Sequence, residues 1–60
     1  MTHQELAYII HNTAITTARD VNSAVILIVD NLKLGCINIT QAENLLNMVD
    51  NKFKAHMTGV

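Results

Sequence analysis

The side chains of this sequence that could do chemistry are few: His3, His11 and His56, Tyr8, Arg19, the lone Cys36, and aspartates at 20, 30 and 50. His3 and His11 are eight positions apart, more than two helical turns, so they cannot share a metal as an i, i+4 pair does. No carboxylate completes a ligand set by spacing, and Cys36 has no second cysteine for zinc or a disulfide. The aspartates are too widely separated to read as a catalytic pair. No phosphate loop, nucleophile elbow or calcium loop is present. The residues therefore point to a non-enzyme with no metal and no cofactor.

Tyr8, His11 and Arg19 remain as binding candidates. Tyr and Arg are enriched in binding hot spots, and a His beside an apolar stripe can sense pH or hold a ligand. Each also has a plainer reading: Tyr8 and Arg19 as solvated helix-face residues, and His11 as a partly buried His bonded to a neighbour. Cys36 reads as a passive small residue, because no local positive cluster would lower its pKa.

Composition narrows the class further. The chain has 60 residues, half of them apolar and 15% charged, so it can fold, yet a chain this size buries only about 60% of its unfolded surface. Its four cations, Arg19, Lys33, Lys52 and Lys54, are scattered among five acidic residues, so a nucleic-acid partner is not expected. The longest apolar run, Ala24 to Val29, is far short of the ~20 residues of a membrane span. No basic residue precedes the first apolar stretch, which argues against a signal peptide. A single cysteine fits a reducing, cytoplasmic setting.

The elements that must position these residues read as helices, in one all-α domain over 1–60. Thr2-His3-Gln4-Glu5 and Thr40-Gln41-Ala42-Glu43 both match the capping box, in which Thr accepts from the amide three residues on and Glu reaches back. Gly35 stands where a left-handed C-cap belongs, Lys33 lies in the turn before it, and Gly59 closes the second segment. This predicts a helical hairpin: a first helix over about 3–34, a turn over 35–39 and a second helix over about 41–57. Leu6, Ile10, Ala14, Ala18, Val21, Ala24, Val25, Ile28, Val29 and Leu32 form one stripe with no phase slip, Gly or Pro, which favours a continuous first helix. The alternative is a three-helix bundle, broken at Thr16-Thr17 or by Asp20 as the N-cap of a helix from Val21, near 17–21.

The continuous helix would be about 48 Å long against about 26 Å for its partner. Leu45, Leu46, Val49 and Phe53 would then cover only Val21, Val25, Ile28 and Leu32. Leu6, Ile10, Ala14 and Ile15 would face water, forgoing about 1.5–3 kcal/mol for each large side chain. Ile9 and Leu27 also sit on the otherwise polar side, with Ile26 at its margin. Hence the expectation is self-association into a homo-oligomeric bundle through Leu6, Ile9, Ile10, Ala14 and Leu27. If the helix breaks instead, the monomer is self-sufficient, and Ile9 and Leu27 become a patch for a foreign partner. The functional expectation is a helical interaction protein that binds a macromolecule, another protein first, as a regulator or inhibitor. The second reading is an oligomeric bundle that holds a small ligand such as a nucleotide between subunits, with Tyr8, His11 and Arg19 as its polar contacts.

Overall fold

The computed structural model describes residues 1–58, which form three helices: α1 (His3–Asn12), α2 (Ala18–Lys33) and α3 (Ile39–Thr58). The all-helical expectation holds, but the continuous first helix does not form. The longest dimension of the molecule is 37 Å, too short to contain a helix of about 48 Å. Gly59, expected to close the last helix, lies outside the described residues.

Each helix begins with a reciprocal cap. Thr2 and Glu5 form the expected box, with Glu5 N donating to Thr2 Oγ1 and Thr2 N to Glu5 Oε1. A second box explains the break. Thr17 Oγ1 accepts from Asp20 N at 3.2 Å, while Asp20 Oδ2 accepts from Thr17 N and Thr16 N at 3.1 and 3.0 Å. Thr17 holds extended dihedrals (φ −127°, ψ 163°), so α2 starts at Ala18; Asp20 is the third helical residue, not the cap. Of the two break points that the sequence offers, Thr16-Thr17 is the one that forms, and Asp20 serves it as the acidic half of a box and not as a cap by itself.

The third box corrects the start of α3. Asn38 Oδ1 accepts from Gln41 N at 2.8 Å and Gln41 Oε1 accepts from Asn38 N at 3.0 Å, so Thr40 lies inside the first turn. Asn is a stronger N-cap than Thr. Buried Ile37 and Ala42 flank this box at the two positions of a hydrophobic staple and share the core cluster. At the other end of that connection Gly35 is where the sequence places it, at φ 79°. Its N–H donates to Leu32 O and Cys36 N–H donates to Asn31 O, a Schellman motif.

The helices run up, down and up. The Met1 nitrogen donates to Asn31 Oδ1 at 2.9 Å, which puts the start of α1 beside the end of α2. Lys52 reaches the end of α1, so α1 and α3 are parallel. The last helix packs on both others and is the hub of the bundle. Around it lie Leu6, Ile10, Ile15, Ile28, Ile37, Ala42, Leu45 and Val49, all buried. The expectation that Leu6, Ile10 and Ile15 face water is thereby corrected: folding α1 back places them in the chain's own core, at about 1.5–3 kcal/mol each. Ala14 is exposed in the connection. No helix of the described residues is long and apolar enough to cross a membrane.

Candidate functional site

Because α1 and α2 both lean on α3, the seam between them stays open. It forms a groove of about 170 Å³ lined by Ile9, Ile10, Thr13 and Ile15 on one side and Asp20, Ser23, Ala24 and Leu27 on the other. The α2 contributors are spaced i, i+3, i+4, i+7 and so occupy one helix face. Ile9 and Leu27, eighteen residues apart, line the same groove, and both are only partly buried. Bending the chain at 13–17 is what brings them together. Ile9 also borders a shallower depression formed with Gln4, Glu5 and Tyr8.

Acidic groups mark both depressions. In the groove the Asp20 carboxylate accepts from the Thr16 and Thr17 backbone N–H groups, which hold its pKa below the usual carboxylate value. In the neighbouring depression the Thr2 N–H does the same for Glu5. Both remain anionic at neutral pH, each with one carboxylate oxygen to which no hydrogen bond is made among the described residues.

Within one chain Tyr8, His11 and Arg19 do not come together. Tyr8 is 71% exposed and lines the shallow depression, but His11 and Arg19 are exposed and line neither cavity. No hydrogen bond or ion pair among the described residues joins the three side chains. The partly buried setting expected of His11 falls instead to His3, whose Nε2 is shut off from solvent and has no hydrogen-bond partner among the described residues. His56 is exposed, as is Cys36, and no group of three His, Cys, Asp or Glu residues within the described part could hold a metal ion.

Lys52 was legible only as one of four scattered cations, yet it organises the site. Its Nζ donates to the carbonyls of Ile10, His11 and Thr13 at 2.8, 2.8 and 2.6 Å. Thr13 Oγ1 donates to Ile9 O, and Asn12 Nδ2 to Tyr8 O. The carbonyls of Ile9, Ile10 and His11 at the end of α1, and that of Thr13 beyond it, are thus satisfied without glycine. No spacing rule could reveal this, because donor and acceptors are 39 to 42 residues apart. Asn31, 6% exposed, is a second unforeseen polar anchor, donating to Leu27 O and accepting from the Met1 nitrogen.

Comparison of the chain with protein-family models, with curated proteins and with solved structures finds no match.

Proposed function

We propose that this chain is a small non-enzymatic helical interaction protein that binds another protein and acts on it as a regulator or inhibitor. The observation that carries the reading is the open apolar seam between α1 and α2, with Ile9 and Leu27 partly exposed inside it. Its volume suits one or two anchoring side chains from a partner helix, the usual way such a groove is filled. With Asp20 in the groove and Glu5 beside it, the complementary partner carries Lys or Arg next to its apolar anchors. The exposed, unpaired Cys36 fits a reducing, cytoplasmic setting. The small-ligand reading has less behind it: the groove, at about 170 Å³, is below the ~300–1,000 Å³ of ordinary ligand pockets, and the larger depression beside Tyr8, about 340 Å³, lies wide open to solvent.

A photo-crosslinking residue placed at Ile9 or Leu27, compared with one at exposed Asn47, tests the proposal in cells. One and the same protein should be captured from both groove positions and not from Asn47, and Ala24→Asp should abolish its capture. Equal capture from Asn47, or stabilisation of the pure protein by nucleotides or metabolites with no groove-specific partner, would overturn it.

A further inference from the structure

The break between α1 and α2 is held open from both sides. In a continuous helix the carbonyls of Ile10, His11 and Thr13 would accept from the N–H groups of residues 14, 15 and 17. In the bent chain the Lys52 ammonium takes those same three carbonyls. Likewise the N–H groups of Thr16 and Thr17, which a continuous helix would turn toward Asn12 and Thr13, are taken by the Asp20 carboxylate. Beyond these bonds, the Thr17 Oγ1 cap and the burial of Ile15, the connection holds nothing that forces a bend. Residues 13–17 contain neither Gly nor Pro, and none has positive φ. The apolar stripe runs in phase from Leu6 through Leu32, as a single helix requires.

We infer that α1 is an exchangeable element: the chain straightens into one helix over about 3–33, and its α1 docks on α3 of a second copy, giving a swapped dimer. Leu6 and Ile10 then fill the partner's core through the same face they use at home, so the apolar burial is retained in a new connectivity. The bent monomer is favoured on dilution, because Ile15 is buried there and no association entropy is lost. Crowding chains together favours the straight form, which adds helical hydrogen bonds across 13–17. Lys52 and Asp20 are the latch that sets the balance. This inference is independent of the partner-binding proposal, since either can fail alone.

Spin labels at Gln4→Cys and Lys33→Cys in a Cys36→Ser chain read the two states directly. In the bent monomer the Met1 nitrogen touches Asn31, so the labels are close. In the straight chain they are about 43 Å apart. With labelled chains diluted into unlabelled ones, the long distance should grow with total concentration, in step with a dimer mass from light scattering. Lys52→Met removes bonds made only in the bent state and should strengthen dimerisation roughly tenfold or more. Ala18→Pro should abolish the long distance, because Pro suits the first position of α2 and the extended Thr17 before it but blocks a continuous helix. A short distance at every concentration, a dimer that keeps the short distance, or a long distance that survives Ala18→Pro would each overturn the inference. Should Lys52→Met fail to fold, the comparison of the unaltered sequence with Ala18→Pro still decides.

Discussion

Lys52 does at the end of α1 what Gly35 does at the end of α2, by different physics. Gly35 adopts φ 79° and lets backbone amides turn back onto carbonyls, whereas Lys52 brings a charge from another helix to the carbonyls of Ile10, His11 and Thr13, of which Ile10 also accepts from the Thr13 amide. The two therefore fail differently. Gly35→Ala meets no atom within 4 Å of an added Cβ, so its penalty is the left-handed backbone alone, about 1–2 kcal/mol by urea denaturation. The carboxylate caps respond to acid. Glu5 and Asp20 have folded pKa values lowered mainly by backbone hydrogen bonds, so their stabilisation is complete above their unfolded values, near pH 4. It is lost as pH falls through the lower folded values. Thermal melts between pH 5 and pH 2 should show this decline, and Asp20→Asn should flatten it. The surface pair Lys54–Asp50, exposed and i, i+4, should matter little to either measurement.

At the scale of elements, three reciprocal caps set three helix starts, and two of them are plain in the sequence once the acidic or amide partner three residues on is counted. Thr17 with Asp20 and Asn38 with Gln41 follow the same spacing as Thr2 with Glu5. The break was underrated because the apolar stripe crosses it in phase, and periodicity reports which residues want burial, not whether the chain between them is straight. Ile15 shows the difference. It lies in the connection, yet it is 2% exposed and plugs the core that the bend creates. Ile15→Ala should destabilise the bundle by about 2–5 kcal/mol, measured by denaturant unfolding. Ala18→Pro should leave stability unchanged or raise it by about 0.4–1 kcal/mol, because it restrains the unfolded chain at a compatible position.

For the molecule as a whole, the bend changes what the apolar surplus means. A straight first helix leaves Leu6 and Ile10 uncovered and requires a second chain; the bent one buries them and leaves Ile9 and Leu27 in a groove instead. Ile9 is partly exposed and stands outside the set of side chains packed against the core, so Ile9→Asp should lower the melting temperature by only a few degrees, in the range set by a ΔΔG of about 1 kcal/mol. Its effect on partner capture should be complete. The exposed Ile26, Leu34, Ile39 and Met57 stand outside the groove, and single exposed apolar residues of this kind are ordinary.

Composition, the apolar stripes, the first capping box and Gly35 by themselves determined that the chain is helical, that one turn falls around Gly35 (expected over 35–39, formed between Lys33 and Ile39), and that Ile9 and Leu27 lie apart from the main stripe. These are local properties, decided by side chains within about four residues of one another. The local Thr17–Asp20 box makes a break available, but tertiary structure decided that the first helix is bent, because the choice also rests on Lys52 meeting carbonyls some forty residues away and on Ile15 finding a core to enter. It also decided that Ile9 and Leu27 line one groove, while Tyr8, His11 and Arg19 stay apart within one chain. Residues distant in the chain meet only once the connection between them has chosen its angle.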